Sequence, residues 1–317
     1  MEQKFWLADA HCDTATVLTP WRLAFGGNTQ LDFQRLAGRG KLQFMAFFMG
    51  AQAEKLSKTE VWRKLRQHWL DLRYAAALCG DVELLEDLRQ AGGSTKTQIV
   101  PALEGLDWLG GDWRAVDELY AWGFRSFGLF WNDDSFLGCG AAANRTPEAD
   151  TGLSAAGREL VAHLAGLGRL VDLAHASDNS FWQAADLLAA EGRPLFVSHA
   201  CCRALCEHPR NLTDEQLRAV GQSGGLVGIT LVPQFLSADG AATPADFARH
   251  AAHAAALAGV ESVCLGSDFD GTAELPLGVE GVQDAAALYD SLLAEGFAEA
   301  EARLIMGENL ANFLRKY

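Results

Sequence analysis

Eight short apolar runs recur along the chain, with longer segments of helical periodicity between them. Most of these runs are apolar throughout rather than alternating, which is typical of strands buried on both faces of a parallel sheet. The predicted strands span residues 4–10, 42–50, 97–103, 124–131, 169–175, 194–200, 225–232 and 262–268.

The intervening segments carry helix signals. Residues 54–78 place apolar side chains on one side and charges on the other, and residues 112–123 and 153–168 each end at a glycine. Ser154 is a predicted N-cap, and Thr213 with Gln216 forms a predicted capping box. Because strand and helix alternate eight times, we predict a (β/α)8 TIM barrel, as one domain over residues 1–317. A doubly wound open sheet is the competing fold, and the missing glycine-rich dinucleotide fingerprint weakens it.

Charge and composition exclude some classes of binding partner and indicate the cellular compartment. The 317 residues carry 41 acidic and 26 basic side chains, a net charge of −15, which argues against nucleic acid and against anionic membrane surfaces as partners. The start of the chain has no signal-peptide pattern, and the cysteine count of seven is odd, so we expect reduced thiols and a cytoplasmic protein. Cys202 and Cys206 have no second cysteine pair at zinc-finger spacing.

Polar side chains follow several predicted strands at the point where each strand ends. In a barrel these ends meet at one rim, where catalytic groups lie. The residues at these ends are His11, Asp13, Glu104, Trp131, Asn132, Asp133, Asp134, His175, His199, Asp268 and Asp270.

Five of these side chains form a ligand set for two metal ions: His11, Asp13, Glu104, His175 and His199. Each alone has an ordinary structural explanation, such as a hydrogen-bonded core histidine or a capping aspartate. Together they are hard to explain without metal, because a buried charge or imidazole is costly unless it is paired. Glu104 could bridge the ions, and such ligands suit Zn²⁺, or Mn²⁺ and Co²⁺ less tightly. Asp172 is interpreted as structural, and the remaining histidines as surface or packing residues: His68, His163, His208, His250 and His253.

Short motifs in this order resemble the membrane (renal) dipeptidase family, peptidase family M19, of the amidohydrolase superfamily. The matching stretches are DAHCD, PALEG, DLAHAS, SHA, HPRN, GSDFDG and the terminal MGENLANFL. The resemblance implies a zinc dipeptidase that tolerates a C-terminal D-residue, and it suggests a homodimer.

The resemblance also implies residue roles. His11 and Asp13 would bind one zinc ion, His175 and His199 the second, and Glu104 would bridge them. A hydroxide between the ions would attack the dipeptide carbonyl. Asp268 would then transfer the proton, and Arg210 would hold the substrate carboxylate.

One position departs from the family pattern. Well-studied members carry a histidine after the fourth strand, where this chain has Trp131 followed by Asn132. Both are predicted substrate-binding residues, and the exchange leaves open which group stabilises the oxyanion. Two alternatives also remain open: a related amidohydrolase that acts on N-acyl amino acids or other carboxylate-bearing amides, and a non-catalytic metal-binding barrel.

Overall fold

The computed structural model describes residues 5–49, 56–109, 112–142 and 146–317. The parallel strands of its sheet are β1 Leu7–Asp9, β2 Gly40–Phe48, β3 Val82–Leu84, β4 Thr97–Glu104, β5 Ser126–Gly128, β6 Leu170–Asp172, β7 Phe196–Ala200, β8 Leu226–Ile229 and β9 Val263–Leu265. Since β2 pairs with both β1 and β4, eight of these strands close into a barrel. Strand β3 lies outside the closed ring and pairs with the first residues of β4.

Helices connect the strands on the outside of the barrel. They are α1 Thr14–Val17, α2 Pro20–Phe25, α3 Phe33–Leu36, α4 Lys58–Cys79, α5 Arg114–Trp122, α6 Ala155–Gly166, α7 Asp178–Ala190, α8 Asp214–Gln222, α9 Pro233–Leu236, α10 Pro244–Ala258, α11 Ala285–Glu295, α12 Glu299–Arg303 and α13 Asn309–Leu314. Within the described ranges, no helix combines the length and apolar character needed to cross a membrane.

The barrel prediction is confirmed, and the closed ring excludes the open sheet. Each of the eight predicted runs overlaps a strand. Six strands are shorter than their runs, whereas β2 begins two residues before its run and β4 ends one residue after it; residues 4 and 50 lie outside the described ranges. The cap at Ser154 and the capping box of Thr213 and Gln216 are confirmed. The predicted helix over residues 54–78 is α4, and its first two residues also lie outside the described ranges.

Aromatic side chains fill the barrel and close its N-terminal end. The rings of Phe44 on β2 and Phe196 on β7 lie 5.8 Å apart, although these strands are not neighbours, so the contact crosses the interior. Phe313 of α13 stacks on Phe196 at 5.5 Å. The apolar plug leaves the C-terminal ends of the strands as the place where polar side chains gather.

Candidate active site

Six of the predicted site residues meet at the C-terminal rim. They are His11 and Asp13 after β1, Glu104 at the end of β4, His175 after β6, His199 within β7, and Asp268 after β9. All are buried except Asp268, which is partly exposed. Residues far apart in the sequence are thus brought to one place because parallel strands end at the same rim.

Glu104 lies between two imidazoles. Its Oε1 is 2.8 Å from His175 Nε2, and its Oε2 is 3.5 Å from His11 Nε2. Each carboxylate oxygen therefore faces a different histidine, and the group divides the site into two halves.

One half of the site contains His175 and His199, whose Nε2 atoms are 2.9 Å apart. The Nδ1 of His175 lies 2.8 Å from the side-chain oxygen of Asn132, and the Nδ1 of His199 lies 2.8 Å from Ser198 Oγ. Since an amide oxygen only accepts, His175 Nδ1 donates there, and the Nε2 of the neutral ring keeps a lone pair. Burial, with the nearby charge of Arg210, lowers the pKa of His175 to about 4, so this ring is neutral at pH 7.

The other half contains His11, Asp13 and Asp268. His11 Nε2 lies 3.5 Å from Asp13 Oδ2 and 3.7 Å from Asp268 Oδ1. Burial, with the charge of Glu104, raises the pKa of Asp13 to about 8. Burial also raises the pKa of Asp268 above its ordinary value. Burial alone would lower the pKa of His11, but the carboxylates of Glu104 and Asp13 outweigh it and hold this pKa well above its ordinary value.

These residues fit a divalent metal ion. Neither His11 Nε2 nor Asp13 Oδ1 has a hydrogen-bond partner among the described residues, although both atoms are buried. Ligand atoms of His11, Glu104 and His199 lie within 4.8 Å of one another, and so do those of His11, Asp13 and Asp268. Buried carboxylates and imidazole lone pairs that face one another repel unless a proton or a cation lies between them.

Backbone strain is concentrated at the same rim. Three non-glycine residues of the described ranges have positive φ: His175 at 65°, Asp268 at 63° and Asp270 at 64°. Left-handed conformations cost energy for such residues and persist where surrounding contacts impose them. The backbone nitrogen of Asp268 donates to His11 O at 3.1 Å, and His175 O accepts from Ala141 N at 2.9 Å.

Two buried carboxylates below the rim each tie together the strands of one half. Asp9 accepts from the backbone nitrogens of His11 and Ser267 at 3.3 and 2.8 Å, and from Ser267 Oγ at 2.6 Å. It thereby joins the residues that lead to His11 and Asp268. Asp9 is therefore a positioning residue.

Asp172 does the same for the half with two histidines. Its Oδ1 accepts from Ala174 N at 3.0 Å and from Ser198 N at 2.9 Å, so it joins the segments that carry His175 and His199. The structural interpretation of Asp172 agrees with these contacts. Sequence analysis did not predict the same role for Asp9. The signal that could have indicated it is the position of Asp9 at the end of the first apolar run.

Arg210 reaches the site from the loop after β7. Its side chain is buried, its Nε has no hydrogen-bond partner among the described residues, and one Nη is 3.4 Å from His199 O. Burial lowers its pKa to about 10, so the guanidinium is charged at pH 7.

Trp131 and Asn132 contact the site in different ways. The Trp131 ring stacks near His175, with centroids 6.4 Å apart, and 37% of the residue is exposed. Asn132 contacts the outward nitrogen of His175 through its amide oxygen. Asn132 is thus placed to orient His175; its predicted contact with substrate stays a prediction.

The other predicted structural residues lie elsewhere. His250 is buried, with its Nδ1 accepting from Cys202 N at 3.0 Å and its Nε2 3.0 Å from Leu236 O. His163 pairs with Asp117 at 3.2 Å and His253 with Asp214 at 2.8 Å. All seven cysteines are free.

A closed (β/α)8 barrel with histidines and carboxylates converging at its C-terminal rim defines a metal-dependent hydrolase. The model of the membrane dipeptidase family (peptidase family M19) matches residues 1–317, and the chain belongs to this family. It is by this membership a metallo-dipeptidase, as the sequence motifs predicted.

Two solved structures agree with this assignment, and a further relative is similar in sequence. The crystal structure of dipeptidase AC, a metallopeptidase of family M19, is 26% identical over 98% of both chains, with a TM-score of 0.89. A metallopeptidase from Rhodobacter sphaeroides, bound to a phosphinate mimic of the dipeptide L-Ala-D-Ala, is 26% identical over 98% of both chains, with a TM-score of 0.87. An uncharacterized protein in the pqqA 5' region of Klebsiella pneumoniae is 34% identical over 68% of this chain and 81% of its own length.

Proposed function

We propose that this enzyme is a binuclear zinc dipeptidase that accepts a D-residue at the C-terminal position of its substrate. The observation that carries the proposal is the position of Glu104, whose two oxygens face His175 and His11 in separate halves of one buried site. His11 and Asp13 would hold one ion, His175 and His199 the other, and Glu104 both.

The bound ions would supply Lewis acidity and a water whose pKa is lowered toward neutrality. Imidazole and carboxylate donors are the ligand types that zinc accepts. Asn132 would keep His175 in the tautomer whose Nε2 lone pair faces the site, since its amide oxygen binds the Nδ1 proton at 2.8 Å.

Asp268 is the proposed proton carrier. Its Oδ1 lies 3.7 Å from His11 Nε2, inside the same half of the site. Burial raises its pKa, so the carboxylate is a stronger base than an exposed aspartate and suits a group that takes a proton from water and returns it to the leaving amine.

Arg210 is the proposed anchor for the substrate's terminal carboxylate. A buried guanidinium whose Nε has no partner among the described residues can form the two parallel hydrogen bonds that a carboxylate accepts. This anchor would limit the substrate to two residues, because the scissile carbonyl must reach the ions while the carboxylate stays on Arg210. A carboxylate contact alone leaves the configuration at the adjacent carbon free, which supports tolerance of a D-residue.

The test is hydrolysis by zinc-loaded protein of L-Ala-L-Ala, L-Ala-D-Ala, a tripeptide and N-acetyl-alanine, with wild type and Arg210→Lys. We expect cleavage of both dipeptides only, and a KM at least about tenfold higher in the variant, because lysine cannot form the paired hydrogen bonds. Cleavage of the acetylated compound alone would assign the site to N-acyl amino acids. An unchanged KM in Arg210→Lys would place the carboxylate elsewhere.

A further inference from the structure

Two aromatic side chains line the rim on the side of β2 and β5. Phe48 is the last residue of β2 and is in register with Glu104 on β4. Alternate residues of a strand share a face, and Phe44 of this strand packs inside the barrel, so Phe48 points inward at the level of the metal ligands. Its ring lies 5.1 Å from that of Trp131. We name this pair the aromatic wall.

The backbone that carries Trp131 is fixed by close packing. A Cβ atom at Gly140 would lie 2.5 Å from Trp131 O, 2.7 Å from Asn132 O and 2.6 Å from Asp133 O, so three carbonyl groups enclose this glycine. The neighbouring Asn132 is bound to His175. Trp131 therefore presents a large apolar surface, 37% exposed, from a fixed position beside a proposed metal ligand.

The order of strands around the barrel places the aromatic wall across the rim from Arg210. The ring runs β1, β2, β4, β5, β6, β7, β8, β9 and back to β1. Phe48 ends β2 and Trp131 follows β5, whereas Arg210 lies in the connection between β7 and β8. A dipeptide whose carboxylate is on Arg210 and whose carbonyl is at the ligands would extend its N-terminal residue toward the opposite side.

We propose that Phe48 and Trp131 form the subsite for the side chain of the substrate's N-terminal residue, and that they select apolar side chains there. This inference rests on the proposed dipeptidase function, since Arg210 sets the direction of the substrate. A fixed aromatic surface gains from burying apolar atoms and offers glycine nothing comparable.

The experiment measures kcat/KM for two dipeptide series with wild type, Phe48→Ala and Trp131→Ala, and metal content for each protein. One series varies the N-terminal residue (Leu-Ala, Phe-Ala, Gly-Ala) and the other the C-terminal residue (Ala-Leu, Ala-Gly). Phe136→Ala is the matched control, because this ring belongs to the same loop and is 38% exposed but stacks on Trp113.

We expect wild type to prefer Leu-Ala over Gly-Ala by at least about tenfold, the discrimination that an apolar pocket achieves. Each alanine variant of the wall should reduce that ratio at least fivefold, leave the Ala-Leu to Ala-Gly ratio unchanged, and keep the metal content of wild type. The control should match wild type.

Three results would overturn the inference. An unchanged N-terminal ratio in both variants, with normal hydrolysis, would remove the subsite and leave the dipeptidase function intact. A change confined to the C-terminal series would reverse the proposed direction of the substrate. Absence of hydrolysis of every dipeptide by metal-loaded wild type would overturn the proposed function and the subsite with it.

Discussion

The backbone of Gly271 lies close to the side chains of Asp268 and Asp13. It follows the GSDFD segment, and its nitrogen donates to Asp268 O at 3.1 Å. A Cβ atom at this position would overlap Asp268 Oδ1 and Asp13 Oδ2, far inside any van der Waals contact. The substitution Gly271→Ala therefore tests whether the placement of these two oxygens matters.

The expected magnitude follows from the size of the overlap. Ordinary contacts of a Cβ atom begin at 3.4 Å, so each carboxylate would have to move by roughly 1 Å, and a misplacement of that size lowers rates by about 100-fold. The backbone of Gly271 is outside the left-handed region that restricts alanine. We thus expect kcat/KM to fall by about 100-fold and the thermal midpoint to change little.

The assay is steady-state hydrolysis of L-Ala-D-Ala, with thermal unfolding and metal content measured on the same protein. Gly166→Ala is the control, because Gly166 ends α6 and lies away from the rim, and no atom of the described residues lies within 4 Å of an added Cβ. Alanine there should leave kcat/KM unchanged. If Gly271→Ala has the same kcat/KM as wild type, hydrolysis does not depend on the present positions of Asp268 and Asp13, and this prediction is wrong.

Three further predictions concern the proposed metal site. Asn132→Ala should weaken binding of one ion by about 10- to 100-fold in chelator competition, because His175 loses the partner of its Nδ1; an unchanged affinity would contradict the orienting role. Metal binding to metal-free protein at pH 7 should release about one to two protons, because the pKa of Asp13 is about 8 and the pKa of His11 is held well above its ordinary value; apparent affinity should rise from pH 6 to pH 8. Calorimetry in buffers of different ionisation enthalpy measures the number of protons released. Metal binding without proton release would contradict this prediction. Glu104→Gln should abolish activity and weaken retention of both ions, whereas an active variant with two ions would exclude bridging.

The strands and the rim could be predicted because their signals are local. A strand buried on both faces reads as an apolar run, and His11, Glu104 and His199 each lie at the end of one. Strand β3 was not predicted, because Val82–Leu84 is short and contains a glutamate. A strand outside the closed ring is not buried on both faces and so need not be apolar throughout. Helices α1 and α2 were not predicted, because segments of four and six residues are too short to show a helical periodicity.

The supporting contacts of the site could not be read from residue order. Asn132 and His175 are joined by a loop conformation, and nothing in the spacing of the two residues indicates which nitrogen the amide contacts. The link from Asp9 to Ser267 depends on β1 and β9 being neighbours, which follows only from the closure of the barrel. The same closure places the aromatic wall across the rim from Arg210.

We propose that two ions, one on each side of Glu104, are both needed for dipeptide hydrolysis. The most direct measurement is stepwise addition of zinc to metal-free protein, with bound zinc and L-Ala-D-Ala hydrolysis recorded at each step. We expect hydrolysis to reach its maximum as the second ion binds. Full activity with one ion per chain, or two bound ions with no hydrolysis of any dipeptide, would contradict it.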